Sequence, residues 1–476
     1  MTAQRDACDS PAGTATALAF GDRGYSRAEL DALVSGMATM LEHRGVRAGD
    51  RVALMSSNRP EFVVATQAIW ALGAAVVLVS TSWKRAEVAH ALSLTTPSHA
   101  VGDSAVLAEL MPMLHLDEPV TPGRRAFTDV DPASDALFVF SSGTTGMPKA
   151  VRHTHAAFAV AVAHWREALG LSSTDRMQIM TPPSHILGLL NIATALDAGV
   201  WIRLHPRFDV EEMLRHIESD RITVEMAVAP IALAMAAHQR LEDYDLSSLR
   251  YVMWCATPVT TSVADEVTRR SGVAWVTAYG ASEVPVIACN ALDGGHLDTV
   301  GRAVPGVEIR IAALTTGDPV AVGEVGEIQV RSASAMAGYL PDDATTAAFA
   351  DGWYRTGDVG YLDDEGWLRI TDRAKEMIKV RGFQVAPAEI ESVLHGHSAV
   401  GDCAVFGVPD AAHGEAVIAA VARCGPVDAD ELIQLVADQL AAYKRPSQVI
   451  FVPEIPRLPS GKVLRRVLKE RLWTSV

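Results

Sequence analysis

The sequence predicts an α/β protein: a large N-terminal domain of doubly wound βα subdomains plus a small β subdomain, then a small α+β C-terminal domain. Three observations carry this. The chain has 476 residues, too many for one ordinary core. Short apolar strands alternate with helical patterns through its first part. The texture then changes twice, near residue 295 and near Asp372.

The elements follow in order. Arg51–Met55 reads as a strand, Pro60–Leu72 has helical apolar spacing, and Ala75–Val79 reads as the next strand. Together they make a βαβ unit, hence a parallel sheet with helices on its faces. Alternation continues through Met177–Met180, the helical stretch Val210–Ile217 and Leu249–Trp254. Ligands of such a domain bind at the C-terminal ends of strands. Beyond residue 295, Val307–Ile311 and Glu327–Arg331 alternate as half-exposed strands do. Tyr361-Leu362 and Trp367–Ile370 flank a turn at Asp363–Gly366 and read as a hairpin. We place the domain boundary after Asp372, giving domains of residues 1–372 and 373–476. In the second, Met377–Lys379 and Phe383–Val385 flank a turn at Arg381-Gly382, and Pro387 starts a helix with Glu389 and Glu391 in its early turns.

Composition narrows the function. Hydrophobic residues make up 49% and charged residues 21%, which suits a globular chain. The net charge of −16 argues against non-specific nucleic-acid binding. No run approaches the ~20 apolar residues that span a bilayer, and Met1–Gly13 lacks an apolar signal segment. Cys8, Cys255, Cys289, Cys403 and Cys424 are scattered without metal-ligand spacing, as expected of reduced thiols in a cytoplasmic protein.

The most informative stretch is Ser141-Ser142-Gly143-Thr144-Thr145-Gly146-Met147-Pro148-Lys149. It follows the apolar segment Phe138–Phe140. A glycine and hydroxyl loop at the end of a strand turns several N–H groups and hydroxyls toward one anion. It is not the Walker loop, because Pro148 stands where the second Walker glycine belongs. Alone, such a run is more often a surface linker, so its companions decide. They are Pro183–Gly188, Tyr279–Glu283, Tyr354–Asp358, Asp372–Glu376 and Pro459–Lys462.

Six segments in this order resemble the adenylate-forming superfamily of acyl- and aryl-CoA synthetases, peptide-synthetase adenylation domains and luciferases. The resemblance covers about residues 20 to 470. It implies ATP and Mg²⁺, with CoA as the acceptor, and a carboxylate that attacks the α-phosphate and releases pyrophosphate. The acid is already ionised at neutral pH, so the work is positioning and charge neutralisation. The resemblance gives Ser141, Ser142, Gly143, Thr144, Thr145, Gly146, Lys149 and Ser282 to the phosphates and Glu283 to the metal. It gives Thr257, Tyr279, Gly280, Ala281, Asp358 and Arg373 to adenine and ribose. Lys462 is implied as the lysine that the small, mobile C-terminal domain brings to the reacting phosphate and carboxylate. Lys375 is implied as the hinge, Gly382 as part of the CoA channel, and Lys379 and Gln384 as neighbours of phosphate and nucleophile. His185 is implied at the acid site, orienting the carboxylate or gating the tunnel.

The acid pocket departs from the family pattern. In Met253–Pro258 the family commonly has Ser-Gly-Ala-Ala-Pro at the last five positions, so Trp254 replaces a small residue and Cys255 a glycine. Thr277-Ala278 stands where Gln-Gly is common. Pocket residues are thus His185, Trp254, Cys255, Ala278 and Ala281, and the added bulk predicts a short pocket for a small or aromatic acid. Two outcomes stay open: transfer to CoA, or adenylation with another acceptor. The latter is a carrier-protein thiol or an amine, and includes activation of nitrite for diazotisation of an aryl amine in a biosynthetic pathway.

Overall fold

The computed structural model describes residues 16–472 apart from 128, 142–147, 258, 260, 293–296, 374–375, 381–382, 411–413 and 458–462. Among the described residues the strands form four sheets. A seven-stranded sheet holds the first βαβ unit: Arg51–Met55 and Ala75–Leu78 pair in parallel, joined by the Pro60–Ala71 helix. Val52–Leu54 and Val76–Leu78 are almost fully buried on both faces, which explains their continuous apolar sequence. Pro60 stands in the helix's first turn, where its missing N–H costs nothing.

A nine-stranded sheet carries the second doubly wound unit. Trp201–Leu204, Arg176–Ile179, Val224–Ala227, Tyr251–Trp254 and Trp275–Tyr279 run parallel in that spatial order. Two apolar cores lie on its opposite faces. Met177, Met226, Met253 and Val276 belong to one; Ala227, Val252, Trp254 and Trp275 belong to the other. The strand expected from Leu249 starts at Tyr251, because the Leu249 amide is spent in a turn on the Leu246 carbonyl.

The small β subdomain is an antiparallel sheet of Val307–Ala312, Gly326–Ser332, Trp353–Leu362, Phe349-Ala350 and Leu368–Arg373. Its hairpin pairs Trp353–Leu362 with Leu368–Arg373. Trp367 falls in the turn, since Asp363 Oδ1 accepts the amides of both Glu365 and Trp367. The fourth sheet lies within residues 378–452, with helices Pro387–His395 and Ala429–Gln439 sharing its core. Arg465, at the start of the Arg465–Leu472 helix, ties this region together. It pairs with Glu376 and sits 2.7 Å from Glu391.

Candidate active site

The phosphate-loop motif caps a hairpin. Asp135–Ser141 runs antiparallel to Lys149–Thr154, with Ser141 opposite Lys149. Ser142, Gly143, Thr144, Thr145 and Gly146 lie outside the described residues. The imidazole Nε2 of His90 donates to the Pro148 carbonyl at 3.0 Å, which pins the foot of the hairpin.

The second strand of this hairpin joins the motif to Glu283. It pairs with Gly338–Leu340, placing Tyr339 opposite Val151. The Tyr339 hydroxyl donates to Glu283 Oε1 at 2.7 Å, and Lys149 Nζ lies 5.3 Å from the Tyr339 ring centre. Tyr339 thus links the closing lysine of the loop to the buried carboxylate. Behind them, buried His153 donates Nε2–H to the Ser282 carbonyl at 2.7 Å. Burial pushes the His153 imidazole down to about 4, so it is neutral and acts as a strut.

The turn that carries Ser282 and Glu283 is tight for a specific reason. Ala281 N–H donates to the Val284 carbonyl at 2.9 Å, and Ile287 N–H returns to the Tyr279 carbonyl at 2.8 Å. A Cβ on Gly280 would stand 2.1 Å from the Pro285 oxygen. Only glycine lets these backbones approach.

Tyr279 ends its strand at the same edge, and its hydroxyl donates to Asp358 Oδ2 at 2.5 Å. Asp358 is buried within Trp353–Leu362 and lies opposite Arg373 in the ladder. Asp358 N–H is held by Thr356 Oγ1 at 3.0 Å, which orients the carboxylate's backbone. Only the backbone of Arg373 is described.

A cavity of about 130 Å³ opens beside Tyr279. It lies at the C-terminal ends of Tyr251–Trp254 and Trp275–Tyr279, the place expected of a ligand. His185, Cys255, Ala278, Ala281 and Ser282 line it. His185 caps the Ile186–Ala198 helix, and its Nδ1 accepts the Leu187 amide at 3.2 Å. Burial holds the imidazole below its ordinary pKa, hence neutral. With Nδ1 accepting, the single proton is on Nε2, leaving an N–H donor at the cavity wall. Burial also pushes the Cys255 thiol up to about 12, so it is a protonated apolar wall and not a nucleophile.

Trp254 requires a correction. It does not line the cavity. Strand alternation sends it to the other face of the sheet, where it packs at 5.3 Å from the Trp275 ring. Its indole N–H donates to Thr257 Oγ1 at 3.1 Å, so Thr257 supports the strand end. The large aromatic at the cavity is instead Trp165, from the helix His155–Ala168. Its N–H is anchored on Asn191 Oδ1 at 2.8 Å. Nothing in the local sequence distinguished Trp165 from a core residue. Ala256, also on the wall, has φ +68°, a left-handed conformation that costs a non-glycine residue about 1–2 kcal/mol.

Lys379 lies exposed on Ile378–Val380, opposite Gln384, and its amide donates to Glu415 at 2.8 Å. The Gln384 side chain, Lys375, Gly382 and Lys462 lie outside what is described.

The profile of the AMP-binding enzyme family matches residues 5–340, and that of the AMP-binding enzyme C-terminal domain matches residues 389–462. A feruloyl-CoA synthase from an Amycolatopsis species is 34% identical over 477 residues, covering 96% of each chain. The ATP-bound structure of MatB from Rhodopseudomonas palustris superposes with a TM-score of 0.90 at 28% identity, covering 98% of this chain and 96% of that one. The amide bond synthetase McbA from Marinactinospora thermotolerans gives 0.88 at 30% identity, covering 97% of both. With one profile spanning most of its length and relatives aligned nearly end to end, the chain belongs to the family of AMP-binding enzymes.

Proposed function

We propose that the protein activates a small or aromatic carboxylic acid with ATP and passes the acyl group to the thiol of CoA. In the first step a carboxylate oxygen bonds to the α-phosphorus while the bond to the β-phosphate breaks, and pyrophosphate leaves. In the second the thiol sulfur bonds to the acyl carbon, AMP leaves with the former carboxylate oxygen, and the thiol proton passes to solvent. The observation that carries the reading is the cavity with a neutral N–H donor, His185, beside the Tyr279–Asp358 pair. Its volume falls below the ~300–1,000 Å³ usual for ligand pockets, which supports a small or flat acid. The feruloyl-CoA synthase relative supports an aromatic one.

Roles follow for the residues. Ser141, Lys149 and Ser282 bind phosphate with the loop 142–146. Asp358, held by Tyr279, accepts the ribose hydroxyls, with Arg373 alongside. Tyr279 stacks on adenine, and Thr257, Gly280 and Ala281 complete that wall. His185 donates Nε2–H to the carboxylate. Glu283 fits Mg²⁺: it is buried, and Tyr339 engages only Oε1, leaving Oε2 without a partner among the described residues. A single carboxylate suits an ion that keeps water and phosphate oxygens as its other ligands. Bound there, Mg²⁺ would neutralise phosphate charge. Residues 1–372 and 373–476 act as separate domains hinged at Lys375, bringing Lys462 in for adenylation and Lys379, Gly382 and Gln384 in for thiolysis. We place the protein in the cytoplasm, where free thiols such as Cys255, Cys289, Cys403 and Cys424 persist.

A second reading keeps adenylation and changes the acceptor to an amine. The likeness to the amide bond synthetase favours it, and a carrier thiol or nitrite with an aryl amine belongs to the same class. A pyrophosphate-release screen of carboxylic acids, and of nitrite with aryl amines, with and without CoA, separates these. Release with an aromatic acid and thioester formation with CoA is expected. Release without thioester, but with amide or diazo product, would establish the second reading. No release with any acid or nitrite would refute adenylation.

A further inference from the structure

On the face of the nine-stranded sheet away from the cavity, His205, Glu212 and His216 converge, with one ligand atom from each lying within 4.8 Å of the others. His205 follows the strand Trp201–Leu204. Glu212 and His216 stand four residues apart on the helix Val210–Asp220, hence on one face. Neither histidine has a role in the proposed reaction.

The hydrogen bonds around His205 use one of its ring nitrogens and leave the other facing a carboxylate. The Gln178 amide nitrogen donates to the Met213 carbonyl at 3.2 Å and to Glu225 at 2.6 Å. Its oxygen therefore accepts, and the group it accepts from is His205 Nε2–H at 2.9 Å. In a neutral imidazole that donates from Nε2, the other ring nitrogen carries no hydrogen. Nδ1 is then a bare lone pair, and it faces the Glu212 carboxylate oxygen at 4.0 Å. Two acceptors oppose each other with no hydrogen between them. His216 adds a third donor atom to the group. Its ring stands edge-on to that of His205, centres 5.1 Å apart. Its Nδ1 is buried without a partner among the described residues.

We propose that His205, Glu212 and His216 bind a divalent transition-metal ion of the zinc class. Two ligands held by one zinc ion at ~2.0–2.1 Å are at most about 4.2 Å apart, a limit that His205 and Glu212 already meet at 4.0 Å. The Gln178 contact to the far nitrogen of His205 is the outer-shell support that metal-binding imidazoles normally have. An open depression of about 340 Å³, lined by Asp209, Glu211, Glu212, Arg215 and Tyr244, adjoins Glu212 and leaves room for a fourth ligand. The nearby cations are paired with carboxylates: Arg203 with Asp220, and Arg215, exposed on the wall of the depression, 3.9 Å from Glu212. The ion would tie the segment after Trp201–Leu204 to the helix, a structural role away from catalysis.

The test is a Co²⁺ titration of the chelator-stripped full-length protein, read by visible d–d absorption and back-titrated with Zn²⁺. One equivalent is expected, with Zn²⁺ displacing it and raising the thermal midpoint. Affinity should fall at least 100-fold in His216→Ala and in Glu212→Gln, the latter altering only a half-exposed carboxylate and so keeping the fold intact. Uptake by the wild type that matches Glu212→Gln, or no coloured complex at one equivalent, would overturn the proposal.

Discussion

Gly280→Ala tests the link between backbone approach and catalysis. The new Cβ would stand 2.1 Å from the Pro285 oxygen and 2.8 Å from its carbonyl carbon. An ordinary contact is about 3.5 Å, so the turn must open by more than about 1 Å. Neither obstacle is the end of a flexible side chain, so the backbone itself has to move. That turn carries Ala281, Ser282 and Glu283, and it is fastened at both ends: the Ser282 carbonyl to His153, the Glu283 carbonyl to the Met336 amide at 2.8 Å. Overpacking costs about 1–3 kcal/mol of stability. A displacement near 1 Å at a positioning group costs about 100-fold in rate. The assay is kcat/KM for pyrophosphate release at saturating acid, with urea unfolding alongside. A fall of about 100-fold with no more than about 3 kcal/mol lost is expected. Activity within threefold of wild type would refute the reasoning.

Three further outcomes follow from the same structure. Tyr339→Phe removes the hydroxyl from Glu283 and should raise the Mg²⁺ concentration needed for half-maximal rate by about 10-fold or more; an unchanged Mg²⁺ dependence would sever Tyr339 from the metal role. Burial raises the Glu225 carboxyl from 4.5 to about 8, so between those values the folded chain holds a proton that the unfolded chain releases. Its contribution is full below about pH 4.5 and is lost as pH rises through 8, at up to about 1.4 kcal/mol per unit. Glu225→Gln should therefore flatten the decline in unfolding free energy from pH 5 to 8; an identical slope would count against a protonated Glu225. Arg465→Ala strands Glu376 and Glu391 without their shared cation and should cost about 3 kcal/mol. The loss should appear as early proteolysis within residues 376–472, and wild-type resistance there would refute it.

Much of the fold was legible because its signals are local. The βαβ unit from Arg51 to Leu78 showed itself through buried apolar runs on either side of a helix opened by Pro60. The α/β class, the small β sheet and the C-terminal α+β unit followed from similar periodicities. What failed was direction. Whether Trp254 enters the cavity depends on which way an odd or even strand position points, and the motif does not state that. The register of Tyr251–Trp254 against its neighbours sends Trp254 to the far core and leaves Cys255 and Ala278 at the wall.

By itself the sequence determined the family resemblance, the α/β architecture and the residue types suited to an anion and a metal, because these rest on composition, period and short motifs. Tertiary structure alone decided which of them meet. Tyr339 joins Lys149 to Glu283 across 190 and 56 residues of chain. Trp165 reaches the cavity from a helix with no motif, and His205 meets Glu212 and His216 through a strand end and a helix face. Such encounters are set by sheet register and helix packing, which depend on the whole chain closing on itself and leave no mark in any short stretch of it.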